Sequence, residues 1–515
     1  MLPDSMYLSP STADEVKKII TSLKSKPQNI HRPSSKIYKF IVNEIASPIN
    51  MIFNKIIENG LYPDVLKRAC VTPVFKSGDK HNASNYRPIN SLNILNTIIE
   101  KLLSRRINEF LKLHNIITDC QYGFRSGYST NDAVIKLLHE AHFSLNHGRY
   151  CGVVSLDLSK AFDTVDHSVL LSKLYNCGVR GVTYNILKSY LTNRTQFVAV
   201  NGIISSERPI DVGVPQGSVL GPLLFSLYVN DIPNILEKAN VIMYADDTTL
   251  FYSHDNINNV YEILNYNLAK IDKWLMANYL TLNVDKTNYI LITNKRLPNI
   301  HEHSIAIRDK VVERKSKITF LGVTIDDKLR FKDHINLVCN KVSKSLGVIN
   351  KLNYLPKNIL KSLYYTLIFP YLIYCILSWG SSYPSIINPL VILQKRAVRI
   401  ITNNPHRASS DPLFKELSIL KFKQLYDLYC SMYMYKVLMQ NKASFIKNEI
   451  TGNQINHSHE LRHNTKLRLP KVNLISYKQS FVYNGLVLWN KLDVETRNMT
   501  SIHKFRKTII QNFDQ

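Results

Sequence analysis

The sequence predicts an α+β fold in which strands and helices are mixed up to about residue 326 and long helices follow. Three observations carry this. The apolar runs GVVSL (152–156) and VIMYADDTTLFYS (241–253) read as buried strands. Between such runs, apolar residues recur at steps of three and four, the period of a half-buried helix. From 332 onward, Ile335, Val338, Val342, Leu346, Ile349 and Leu352 hold that period on one helix face.

In chain order, STADEVKKIITSLKSK (11–26) opens as a helix, with Ser11 or Thr12 as cap and acids at Asp14 and Glu15. Residues 40–59 continue the helical period, and Gly60 ends it. VTPVFKSGDK (71–80) reads as a short strand turning at Gly78–Asp79. An amphipathic helix is expected over 92–113. GVVSLDLSKAF is a strand up to Leu156, and Asp166 caps a helix through DHSVLLSKLYNCGV. QFVAVNG with the following ERPIDVGV reads as a hairpin, and a helix over 218–230 leads to the strand at 241. Residues 257–280 are helical, and YILIT and SKITFLGVTID are strands.

Charge narrows the function. Of 515 residues, 65 are Lys or Arg and 39 are Asp or Glu, a formal net charge of +26. Such a surplus suits a polyanion, nucleic acid before an anionic membrane. Residues 391–515 alone hold 20 Lys/Arg against 8 Asp/Glu. The 7 cysteines are dispersed with no CxxC pair, which argues against a zinc knuckle and for reduced, packing thiols. No charged residue occurs from Ser362 to Gln394, a length that reaches the membrane-spanning range. Pro370 and the tyrosines instead favour a buried helix pair broken near that proline.

VIMYADDTTLFYS poses a chemical problem. Asp246 and Asp247 sit within an apolar run that contains no Lys or Arg. A buried carboxylate without a cation costs several kcal/mol. At a tight turn between two strands the two acids can face a common site, and Asp157, at the end of another apolar strand, can join them. Carboxylate oxygens with room for waters and phosphates suit Mg²⁺, and acids on adjacent strand ends can hold two ions for displacement at phosphorus. The alternative for a lone acid doublet is a surface turn. Between the acidic strands, GVPQGSVLGPLLFSLYVNDIP (213–233) gives a small-residue loop running into an apolar helix, where backbone can approach a nucleotide.

The ordered set NYRPI (85–89), QYGFRSGYST (121–130), SLDLSKAFDTVDH (155–167), GVPQGSVLGPLLFSLYVNDI (213–232), YADD (244–247), LTLNVDKT (280–287) and FLGVTID (320–326) resembles a reverse transcriptase. It is most similar to the polymerases of non-LTR (LINE-type), jockey-like retrotransposons. The resemblance implies a right-hand polymerase fold: fingers, a palm with an antiparallel sheet, and a helical thumb. It divides the chain into an N-terminal extension (1–70), fingers and palm (71–326), thumb (327–400) and a basic, mostly helical C-terminal region (401–515).

The implied activity is RNA-directed DNA polymerisation: dNTPs are joined to a DNA 3′-hydroxyl on an RNA template, with two Mg²⁺ ions for which Mn²⁺ can substitute. Carried over residue by residue, Asp157, Asp246 and Asp247 are the catalytic and metal-binding acids. Phe162 is the aromatic that excludes a ribose 2′-hydroxyl, or else a core aromatic at a strand–helix junction. Gln216 contacts the incoming nucleotide or template. Lys286 stands near the triphosphate, with a solvated turn lysine as the alternative. Lys76, Arg87 and Lys101 are triphosphate contacts or ordinary surface charges. Asp163 matches a motif position, or is a structural cap. The expected partners are an RNA template, a DNA primer or target and dNTPs, with no membrane, and a ribonucleoprotein in nucleus and cytoplasm. No endonuclease is expected in this chain, so it would extend a primer without nicking a target. The competing expectation is an inactive or truncated element remnant that binds RNA.

Overall fold

The computed structural model describes residues 2–24, 34–296, 304–440, 442–443, 445–447, 450 and 467–513. The end of the predicted first helix (25–26) and part of the predicted C-terminal region (451–466) lie outside them. The chain gathers into two compact units, each from separate stretches: Met1–Gly127, Leu156–Thr248 and Tyr266–Lys286 in the first, Tyr128–Ser155, Thr249–Asn265 and Thr287–Gln515 in the second.

In chain order the strands are β1 (Arg68–Phe75), β2 (Tyr86–Ser91), β3 (Tyr150–Leu156), β4 (Arg194–Val200), β5 (Ile203–Ile204), β6 (Arg208–Ile210) and β7 (Asn240–Tyr244). They continue as β8 (Asp247–His254), β9 (Asn288–Ile292), β10 (Ala306–Ile307), β11 (Lys310–Val311), β12 (Glu313–Arg314), β13 (Lys317–Phe320) and β14 (Val323–Asp326).

The first unit is built round the sheet β2–β1–β4–β5, with β6 also paired to β4. β1 and β2 are antiparallel, with Thr72 opposite Ile89 and Val74 opposite Arg87. β1 runs parallel to β4, with Val71 opposite Val198. The predicted strand–turn at 71–80 is therefore the tip of the β1–β2 hairpin, turning where Gly78 holds φ +90°. The hairpin expected from QFVAVNG forms as β4 with β5 and β6. Helices pack this unit's core. Val42–Asn59 ends at Gly60 (φ +67°), as its sequence implies, and buries Ile49, Phe53 and Ile56. Ile94–Leu113 buries Ile98, Ile99, Leu102 and Leu103. Thr12 caps the helix Ala13–Ser22 by accepting from the Glu15 N–H. Asp166 caps His167–Asn176 by accepting from Val169.

In the second unit β9 pairs antiparallel with β3, placing Val153 opposite Ile290, and β12 runs parallel to β9. β13 and β14 form a hairpin through Leu321 and Gly322, both at positive φ. Helix follows helix from there. Lys332–Lys351 buries Ile335, Val338, Val342, Leu346 and Ile349, the predicted stripe except Leu352, which caps the helix half-buried. The uncharged stretch after Ser362 is broken near Pro370: one helix ends at Leu367 and a short one runs Phe369–Ile373. Among the described residues no helix is long and apolar enough to cross a membrane.

Candidate active site

The site lies in the first unit. A cleft of about 1680 Å³ is lined by Asp157, Phe162, Gln216, Asp246 and Lys286, with Lys76 and Arg87 on its wall. Sequence reasoning placed all seven at one site, and the fold brings them to one cleft from positions up to 210 residues apart. Lys101 and Asp247 are the exceptions. Lys101 sits half-buried on the helix Ile94–Leu113 and Asp247 is exposed at the start of β8; neither is among the residues that line the cleft.

Asp157 leaves β3 as the first residue beyond it. A second stretch straps it in place. The Asp157 carbonyl accepts from Asn283 N–H at 2.8 Å, and Ser159 N–H donates to the Thr281 carbonyl at 2.8 Å. Leu158 and Leu282 pair as an isolated bridge. This strap carries Lys286 to the cleft, because LTLNVDKT continues directly from it.

Asp246 and Asp247 follow β7 through a tight turn in which Ala245 holds φ +59°. A left-handed residue other than Gly needs support from its surroundings. That support comes from QYGFR. Met243 N–H donates to the Cys120 carbonyl and Tyr122 N–H to the Met243 carbonyl, each at 2.8 Å. Gln121, fully buried, turns its Oε1 to accept from Gly123 N–H (2.8 Å) and from Ala245 N–H (3.1 Å). Gly123 lies so close that a Cβ there would stand 2.4 Å from Ala245 N, so only glycine fits. The motif was visible in the sequence, but Gln121's role was not; its signal is a polar residue between a strand-like segment and a glycine.

Electrostatics ties the acids together. The Asp247 carboxyl is pushed above its ordinary value, first by loss of water, then by Asp246 and Asp157, while Lys76 and Arg87 pull it down. A carboxyl raised by neighbouring acids suits a divalent cation, which relieves the repulsion. Among the described residues, however, no three His, Cys, Asp or Glu side chains stand together as a metal-holding group.

Phe162 and Gln216 are held by neighbours the sequence did not announce. The Phe162 ring stacks on Phe225 (centroids 4.4 Å, planes 23° apart) and meets Phe124 edge-on at 6.3 Å. It is half-buried and forms part of the cleft wall. Gln216 Nε2 donates to Asp163 Oδ1 at 2.8 Å, and the Gln216 carbonyl accepts from Asn90 N–H on β2 at 2.7 Å. Asp163 is thus a partner of Gln216, and the helix cap is Asp166 instead. Burial raises the Asp163 carboxyl above its usual value, with the Gln216 bond and Lys160 opposing. Gly217 holds φ +106° with β2 so near that a Cβ would lie 2.7 Å from the Asn90 carbonyl oxygen. Behind the loop, fully buried Glu100 accepts from Val219 N–H, Tyr190 O–H and Asn96 Nδ2. Burial raises its carboxyl, and those same bonds oppose the rise.

Residues 77–325 match the family described as reverse transcriptase (RNA-dependent DNA polymerase). Residues 77–325 thus carry a reverse transcriptase domain, and the relatives that the chain resembles come from mobile elements, jockey among them. It is 29% identical over 442 residues to a probable RNA-directed DNA polymerase from transposon BS of Drosophila melanogaster, covering 83% of this chain and 49% of that protein. It is 27% identical over 432 residues to the RNA-directed DNA polymerase from mobile element jockey of the same organism, covering 81% and 46%. To the Pol polyprotein of the type-1 retrotransposable element R2 of Popillia japonica it is 30% identical over 234 residues, covering 42% and 31%. The chain spans about half the length of the first two of these relatives.

Proposed function

We propose that this chain is an RNA-directed DNA polymerase that adds dNTPs to a DNA 3′-hydroxyl on an RNA template. The observation that carries the proposal is one cleft that gathers Asp157, Asp246, Phe162, Gln216, Lys286, Lys76 and Arg87, beside an Asp247 whose carboxyl feels both other acids. The primer 3′-hydroxyl gives up its proton to water, and its oxygen bonds to the α-phosphorus of the dNTP as the bond to the bridging oxygen breaks and pyrophosphate leaves. Lys76 and Arg87, both near enough to act on Asp247, bind the triphosphate from the β1–β2 hairpin. Gln216, oriented by Asp163, meets the incoming nucleotide or its template base. Phe162, braced by Phe225, closes the space a 2′-hydroxyl would need. Lys286 gives the proton that the pyrophosphate takes. Asp157, Asp246 and Asp247 would hold two Mg²⁺ ions, which acidify the primer hydroxyl and neutralise phosphate charge when bound.

In this reading residues 71–326 supply fingers and palm, and the helix Lys332–Lys351 opens a thumb that follows the template–primer by phosphate contacts. The approach to A-form of an RNA–DNA duplex suits such shape reading. A working ribonucleoprotein would be made in the cytoplasm and act on chromatin in the nucleus. Primer extension on poly(rA)/oligo(dT) with Mg²⁺ or Mn²⁺ tests the assignment. Wild type should extend and Asp246→Asn should not. A folded wild type that fails to extend, or equal extension by both proteins, overturns it and leaves an RNA-binding remnant.

A further inference from the structure

A second cavity, of about 470 Å³, lies wholly within the second unit. That size is in the range of small-molecule sites. Its wall carries three cations, Lys436, Lys442 and Arg506, and no Asp or Glu. It also carries aromatic rings at partly open positions, Tyr365 and Tyr429. Lys442 is anchored: it pairs at 3.0 Å with buried Asp132, whose carboxylate also accepts from Tyr433 O–H and Ser129 O–H, each at 2.6 Å. Lys436 has no ion pair among the described residues. Burial and then Lys442 pull its ammonium below the ordinary value, with Asp132 opposing. Asn131 Oδ1, also on the wall, is buried and has no hydrogen-bond partner among the described residues.

These groups demand a particular chemistry. Unbalanced cations call for an anion, ring faces for a flat ring, and a buried acceptor for a donor. Inorganic phosphate supplies only the first. A nucleotide supplies all three, its donor being a ribose hydroxyl or a base amino group. A duplex is too wide for this cavity, whereas a single unstacked base enters it in the manner of single-strand recognition. We propose that this cavity binds one unpaired nucleotide of an RNA strand, its base against Tyr365 and Tyr429, its phosphate between Lys436 and Arg506 and its donor on Asn131. Lys442, tied to Asp132, closes the rim. The choice of RNA rests on the template assigned above; the pocket chemistry does not.

The test uses the full chain, its catalytic cleft first filled with a recessed RNA–DNA template–primer. A single-stranded 12-nucleotide RNA carrying one 2-aminopurine riboside is then titrated, and stacking is read as loss of its fluorescence. Lys436→Gln with Arg506→Gln should weaken binding by about tenfold and flatten its salt dependence. Tyr365→Leu with Tyr429→Leu should abolish most of the quenching. Asp246→Asn should leave both readouts as in wild type, so failure of polymerisation and failure of this site are read separately. Equal affinity and quenching in wild type and the Lys436/Arg506 variant overturn the proposal. Binding of 2-aminopurine riboside 5′-monophosphate, or of the matched DNA strand, as tightly as the RNA overturns the assignment to an RNA strand. If the double variant unfolds by circular dichroism, Arg506→Gln alone, at an exposed residue, carries the same comparison with about threefold weakening expected.

Discussion

Gln121 shows how a single buried side chain can govern a reaction it does not touch. Its Oε1 satisfies two backbone donors, Gly123 and Ala245, the second of which starts the acid-bearing turn. Gln121→Met keeps the volume and leaves both donors without an acceptor, a cost of about 1–3 kcal/mol. Extension by Gln121→Met should fall on the order of 10²-fold in kcat while KM for dNTP stays within about threefold, because a displaced turn misplaces Asp246 and Asp247. Gln121→Glu, which keeps an acceptor, should recover part of the loss. Equal kcat in wild type and Gln121→Met would remove the positioning role. Phe162 gives a second outcome at this scale. Phe162→Val should raise incorporation of rNTPs relative to dNTPs, read by primer extension with each in turn; an unchanged ratio would return Phe162 to a purely packing role. The acids, the aromatic and Gln216 were legible because motif order and spacing name them. The pairings of Gln121, Asp163 and Glu100 were not, because the distant partners that fix their roles lie 53 to 124 residues away, and nothing local in the sequence encodes such a pairing.

Elements with local causes were read well. Gly60 stops a helix, Asp166 starts one, and Pro370 interrupts the apolar stretch, each through backbone rules that act within a few residues. The helix expected over 218–230 is shorter, Gly221–Tyr228, because Ser218 closes a turn on the Pro215 carbonyl before it. The two-residue strands β10 to β12 have no period long enough to register in sequence. Two helices of the second unit carry a buried histidine each: His142 on Thr130–Asn146 and His334 on Lys332–Lys351. Burial lowers each from 6.5 to about 4, and neighbouring His139 and Lys341 respectively add to the shift. Each stays neutral in the fold while the unfolded chain takes up a proton below pH 6.5. The stability they contribute is therefore complete above pH 6.5 and is lost as pH falls toward 4, roughly 3 kcal/mol for each group. Urea unfolding at pH 7 and pH 5 should show this decline, and His142→Leu with His334→Leu should have a shallower pH dependence. A slope that does not differ between wild type and that variant would assign acid sensitivity to other groups.

For the molecule as a whole, +26 is the governing quantity. On the proposed function, a surface so charged would hold template–primer mainly through phosphates, so log K should fall linearly with log salt, measured by fluorescence anisotropy from 50 to 200 mM, losing on the order of 10³-fold. A salt-independent affinity would mean that base or shape contacts dominate. Net charge and the mixed-then-helical order of elements were legible from composition and period alone. How stretches are shared between units was not, since a linear reading has no term for a chain that leaves one core and returns to it. The division into units has a consequence for synthesis. The chain passes from one unit to the other after residues 127, 155, 248, 265 and 286. A ribosome reading from the amino end therefore releases the first core in three instalments, the last of them closing only at Lys286, while the second waits for nearly the final codon. A transcript cut short before Lys286 leaves both cores unfinished, whereas one cut after it leaves the first complete and only the second unfinished.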